Sequence, residues 1–173
     1  GQRVQELAYE HMHEPVKVEV RPDQVTAQRA QQLLYHVAGD EKFPLLLGLL
    51  KHEAPQRAII FANTKNEVAR IHHRLTHHGY DIEMLTSDHT QQKRMSIVKR
   101  FKAGELPFVV ATDVASRGIH VEGVSHVINY DLPQDAEDYV HRIGRTARVG
   151  EAGRAISLAC DRFVYSLEAI EEL

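Results

Sequence analysis

The chain has 173 residues, 43% apolar and 26% charged, which suits one globular domain with a core of ordinary size. Its 21 Lys+Arg against 24 Asp+Glu give a formal charge of -3, which excludes bulk attraction to nucleic acid and leaves room only for a local basic patch. The single cysteine, Cys160, excludes an intramolecular disulfide and a Cys-clustered metal site, and no run approaches the roughly 18 to 20 apolar residues of a membrane span.

In chain order, residues 2–13 read as a helix, 15–20 as a strand and 21–29 as a polar connector containing Pro22. Residues 31–37 read as the next strand. A helix over 40–52 follows, with Phe43, Leu46, Leu47 and Leu50 on its apolar face and Pro44 in its first turn, where a missing N–H costs nothing. From there short apolar runs at 57–62, 81–85, 108–112, 126–130 and 155–159 alternate with amphipathic stretches, the pattern of βα units around a parallel sheet. The stretch 65–77 carries Val68, Ile71 and Leu75 on one face, 90–101 carries Met95, Val98 and Phe101, and 135–143 carries Ala136, Val140 and Ile143. Thr64 or Asn63 can cap the first of these, with Glu67 completing a capping box and Gly79 closing it; Thr90 and Asp135 can cap the other two. The fold expected is α/β, with five or six mainly parallel strands and helices on both faces. Right-handed crossovers bring the strand-end loops to one edge, where open parallel sheets bind ligands.

Three segments at that edge carry chemistry. His141-Arg142-Ile143-Gly144-Arg145-Thr146-Ala147-Arg148 holds three guanidiniums at a spacing of three, with Gly144 free to end the helix between the first and second. Planar forks of this kind suit phosphate or carboxylate, although a solvated basic face or an internal ion-pair network would read the same way. Ala111-Thr112-Asp113-Val114-Ala115-Ser116-Arg117-Gly118 follows an apolar run and offers a hydroxyl, a carboxylate and a glycine, with Asp113 a natural partner for a nearby arginine. The third is Ile59-Ile60-Phe61-Ala62-Asn63-Thr64. His72, His73, His77 and His78 cluster on the solvent side of the 65–77 stretch and read as surface residues, not a metal site. Tyr130 and Tyr139 read as packing, and Cys160 as a buried inert thiol.

In this order the three segments resemble the C-terminal-domain motifs of the DEAD-box ATP-dependent RNA helicases. Gln91 and Arg94 at a helix start, Phe101 to Gly104, and Val127-Ile128-Asn129-Tyr130-Asp131-Leu132-Pro133 extend the resemblance over roughly 30–160. It implies a RecA-like domain at 30–173, preceded by an interdomain linker at 21–29 and by a helix-strand remnant of the other RecA-like domain at 1–20. By the resemblance, Arg145 and Arg148 would reach the γ-phosphate of ATP as arginine fingers, with Arg142 counted beside them. His141, Asp113 and His120 would serve the ATP site and the interdomain surface. Thr64, Gln91, Arg94, Thr112 and Gly118 would contact RNA backbone. ATP and Mg2+ belong to the intact enzyme, and the partners implied are RNA and the N-terminal RecA-like domain. With no membrane-length apolar run and no signal-peptide-like apolar region in the opening residues, the expected setting is cytoplasmic, away from any membrane.

Three positions depart from the family pattern. His120 occupies the position after Arg-Gly-Ile where the family has an Asp that meets the ribose, which puts nucleotide affinity in doubt. Ala147 and Ser87 replace common glycines. His120, the run 157–160 and the run 167–171 resemble the branch serving bacterial RNA degradation, which implies an endoribonuclease E-type scaffold as a partner. Residues 1–20 could also mediate weak self-association. Neither a phosphate-binding Gly-x-x-x-x-Gly-Lys-Ser/Thr loop nor Asp-Glu-Ala-Asp occurs, so the chain alone is expected to be inactive as an ATPase. The rival reading is a non-catalytic RNA- or protein-binding module.

Overall fold

The computed structural model describes residues 16–20, 30–119, 121, 123–146, 153–160 and 170. The expected helix at 2–13, the connector at 21–29, His120, Arg148 and nearly all of the C-terminal acidic stretch lie outside the described residues.

The strands are β1 (Val16–Val20), β2 (Ala30–His36), β3 (Ala58–Phe61), β4 (Ile82–Leu85), β5 (Phe108–Ala111), β6 (His126–Asn129) and β7 (Gly153–Ala159). The helices are α1 (Lys42–Glu53), α2 (Lys65–His77), α3 (Gln91–Lys102), the single turn α4 (Asp113–Ser116) and α5 (Ala136–Ile143). Among the described residues one sheet of seven strands runs β1-β2-β7-β6-β3-β5-β4, parallel throughout except for β1, which joins β2 antiparallel at the edge. The parallel α/β architecture is the RecA-like one that the motifs implied. Its seventh strand is β1, which finds cover on β2 within its own chain.

Alternation along the strands explains the layers. In β3, Ala58 and Ile60 face a core shared with Phe43 and Leu46 of α1 and with Val68, Ile71 and Leu75 of α2. Ile59 and Phe61 point the other way, into a core with Ile97 and Phe101 of α3. Since both faces are apolar, helices must cover both. A third cluster joins Leu34, Ala155 and Ala159 of the sheet to Tyr139 and Ile143 of α5 and to Ile170.

The caps form as the sequence suggests. Thr64, not Asn63, accepts from the Glu67 amide at 3.2 Å, Thr90 from Lys93 at 3.2 Å and Asp135 from Asp138 at 2.8 Å. Two apolar faces are rotated from expectation. Helix α3 buries Ile97 and Phe101, a four-residue repeat, so Met95 is turned out with 63% of its surface exposed. Helix α5 buries Tyr139 and Arg142 beside Ile143, leaving Val140 half-buried. The α5 shift follows from polar partners: the Tyr139 hydroxyl donates to Gln32 at 2.5 Å, and Arg142 meets Asp113. Tyr130 is also buried, under the Lys42 ammonium 4.5 Å from its ring centre, and Cys160 is buried and free.

Candidate nucleotide and nucleic-acid edge

Strands β6, β3 and β5 are neighbours, and their C-terminal ends deliver Asp131, Asn63 and Asp113 to one edge of the sheet. Helix α5 sets Arg142 among them. Its guanidinium donates from Nε to Asp113 Oδ1 and from Nη2 to Asp113 Oδ2, both at 2.7 Å. Nη2 also reaches Asn63 Oδ1 at 2.8 Å, while Nη1 reaches the Asp131 carbonyl at 2.7 Å and Asn129 Oδ1 at 3.4 Å. The whole side chain is 1% exposed and packs over the Phe61 ring. All five donors of the guanidinium are therefore matched, and what Arg142 can do is hold three loops in register.

Asp131 extends this network inward. Its Oδ1 accepts from Lys42 Nζ of α1 at 2.5 Å in a buried ion pair, and its Oδ2 accepts from the Asn63 amide at 2.9 Å. Asn63 Nδ2 donates to the Leu132 carbonyl at 2.7 Å. Reading the sequence missed Lys42 and gave Asn63 no role beyond capping. Their only sequence signal was polarity at helix and strand ends, which is too common to single them out.

Arg145 is held differently. Nη1 donates to the Ile119 carbonyl at 2.5 Å and Nη2 to the Ser116 carbonyl at 3.0 Å, both neutral acceptors. Its Nε is buried with no partner. Burial lowers its pKa, with the Asp113 charge opposing that shift. Among the described residues no carboxylate is in ion-pair contact with it, and the Asp113 charge acts on it only from a distance. It lines a cleft of about 460 Å3 with Asp113, Arg117, Gly118, Asp138 and His141. Arg117 reaches Asp138 at 3.6 Å, and burial raises the Asp138 pKa, helped by the charges of Asp113 and Asp135. His141 is exposed and sits a loose 3.9 Å from Glu137. Arg117 and Asp138 were not among the expected site residues, although Arg117 stands inside a motif that was.

A second cleft, of about 670 Å3, gathers Gln91, Arg94 and Gly118. Arg94 Nη2 donates to the Ala115 carbonyl at 2.6 Å, and its buried Nε has no partner. Gly118 lines both clefts. Its φ of +73° is one that a side chain would strain, and nothing lies within 4 Å of where a Cβ would stand. The backbone there is open to close approach. Thr64 and Thr112 line neither cleft; both are caps at the same edge, Thr112 buried and accepting from the Ala115 amide at 3.3 Å. In the histidine cluster, His72 Nε2 lies 3.1 Å from the Ile82 carbonyl. Among the described residues no three metal-binding side chains come together.

Residues 41–150 match the helicase conserved C-terminal domain. The ATP-dependent RNA helicase RhlB of Xanthomonas oryzae pv. oryzae is 54% identical over 98% of this chain, which spans 29% of that relative. RhlB of Idiomarina loihiensis is also 54% identical over 98% of the chain, which spans 40% of it. The chain thus covers a minor part of these longer proteins. Among solved structures, the E. coli DEAD-box protein SrmB, in a complex with regulator of ribonuclease activity A, superposes with a TM-score of 0.75 at 37% identity, covering 82% of this chain and 83% of that one. The C-terminal domain of the DEAD-box protein Dbp5 gives 0.76 at 32% identity, with 83% and 84% covered.

Proposed function

The chain belongs to the helicase conserved C-terminal domain family, in its DEAD-box branch, and from that premise we propose that it acts as the second RecA-like half of an ATP-dependent RNA helicase. The observation that carries this reading is Arg145: a half-buried guanidinium beside an open cleft, held by two carbonyls, with an orphaned Nε and no carboxylate contact among the described residues. Such a group fits an anion brought by a facing domain. ATP with Mg2+, bound between the halves, supplies the phosphoryl group for hydrolysis. Arg145, with Arg148 beyond it, supplies positive charge where phosphate oxygens gain negative charge. Arg142 and Asp113 keep the three loops in register, and His120 and His141 serve the ATP site and the interdomain surface.

Thr64, Gln91, Arg94, Thr112 and Gly118 hold RNA backbone, a mode that carries no base sequence. The division into 1–20, 21–29 and 30–173 follows the same premise. The likeness at His120, 157–160 and 167–171 supports an endoribonuclease E-type scaffold as partner in a cytoplasmic setting; among the described residues no helix is long and apolar enough to cross a membrane. Self-association through residues 1–20 is excluded if the solution mass stays that of one monomer over a wide concentration range.

The test uses the intact two-domain enzyme carrying Arg145→Ala or Arg148→Ala. RNA-stimulated ATPase is expected to fall by about 10³ or more, the worth of an arginine finger in related phosphoryl transfer, while RNA affinity without nucleotide holds. Full ATPase with weakened RNA binding would instead favour a non-catalytic binding module. Equal stimulation by RNA and DNA would move the assignment out of the RNA branch.

A further inference from the structure

Helix α3 reads QQKRMSIVKRFK, with five cations and no carboxylate, in a chain whose net charge is -3. Arg100 is paired with Glu83 at 3.2 Å. Among the described residues Lys99 and Lys102 form no ion pair, and both line the larger cleft with Arg94. That cleft therefore has a cationic rim. Its floor is apolar: Met95, Val98 and Ile119. Met95 is one of two large apolar side chains left strongly exposed among the described residues, and Val98 and Ile119 pack from the half-buried side onto the core of Ile97 and Phe101.

A track for phosphates needs cations and amides but gains nothing from an aliphatic floor. A nucleobase needs both parts, because its flat faces are apolar and its phosphates flank it. The methionine thioether is polarizable and favours contact with π systems, and the bare backbone at Gly118 leaves one wall low enough for a planar ring. An amphipathic acidic peptide would use the same amines, but it needs apolar anchors repeating along a helix, whereas this floor is one short patch. Resting on the RNA reading given above, we propose that the cleft beside α3 is a base subsite. One base of the bound strand lies on Met95, Val98 and Ile119, and Lys99 and Lys102 meet the adjoining phosphates. Since any base has such a face, the subsite adds affinity without sequence preference.

The chain has three methionines, Met12, Met84 and Met95, so methyl-labelled methionine reports on the floor directly. Titration with oligouridylate is expected to shift the Met95 methyl, and an abasic oligonucleotide of equal length and charge to leave it nearly unmoved. Met84, packed against the other core, is the internal reference. Lys99→Ala combined with Lys102→Ala is expected to weaken oligouridylate about tenfold and to reduce the log-log salt slope by about 1.4, two single-strand phosphate contacts. The subsite is overturned if the abasic strand moves Met95 equally, or if oligoglutamate does so, which would assign the cleft to acidic peptide. It also falls if the double variant changes neither affinity nor slope while the Thr64 and Gln91 amides still respond to RNA, an outcome that leaves the RNA reading standing. Silence at Thr64, Gln91 and Gly118 as well as Met95 removes both.

Discussion

Arg142 and Arg145 stand three residues apart, yet one has every donor matched and the other keeps a buried nitrogen unmatched. Removing Arg142 strips Asp113 of its bidentate partner, so Arg142→Ala is expected to cost about 3 kcal/mol in urea unfolding, the low end for a broken buried pair because Asp113 keeps some solvent contact. Arg142→Lys recovers only part of this, because a single ammonium cannot span both carboxylate oxygens. In the sequence the arginines looked equivalent. The split arises because Arg142 lies in α5, facing the sheet, whereas Arg145 follows Gly144 beyond the helix, and spacing alone does not say which partner each will meet. On the opposite edge, burial pushes the Glu53 carboxyl up, but hydrogen bonds from His126 and Arg154, and their charge, outweigh it and bring the pKa from 4.5 down to about 2. A folded-state pKa below the unfolded value stabilises the protein fully above pH 4.5, and that stability is lost as pH falls toward 2. Glu53→Gln should remove up to about 3 kcal/mol at neutral pH and flatten the acid side of a stability-against-pH curve.

At the level of elements, the boundaries of α2 were legible to the residue, because Thr64, Glu67 and the Val68-Ile71-Leu75 stripe all agree. Strands β3 to β6 were legible for the same reason: each is a short apolar run fully bracketed by turns and helices. Helix α3 was placed but turned wrongly. Its sequence supports two overlapping stripes, Met95-Val98-Phe101 and Ile97-Phe101, which share Phe101, and only the sheet beneath it selects the second. The error concealed the cleft, since a Met95 assigned to the core leaves no apolar floor outside it. Thr90→Ala, which removes the α3 cap, should cost about 1 kcal/mol, read as a lowered urea midpoint with faster amide exchange over 91–94.

For the whole molecule, the proposed role as one half of a two-domain phosphate site predicts silence in isolation: with Mg2+, ATP and RNA, the chain alone should release no phosphate above a blank. Measurable turnover by this chain would remove the two-half account. The motifs made the architecture readable, but not the strand order, because neighbours such as β2 and β7 are chosen by packing at a distance. Arg154 of β7 donates to Gln31 of β2 across a sequence separation of 123 residues. That single pairing imposes a schedule on synthesis. While the ribosome is still making the chain, β3, β4 and β5 can come together early, but β2 must wait with an open side until β7, 123 residues away at Gln31–Arg154, emerges. A nascent chain stalled before Gly153 therefore presents bare edges on both β2 and β6, the kind of exposed template that chaperones must shield from neighbouring polypeptides.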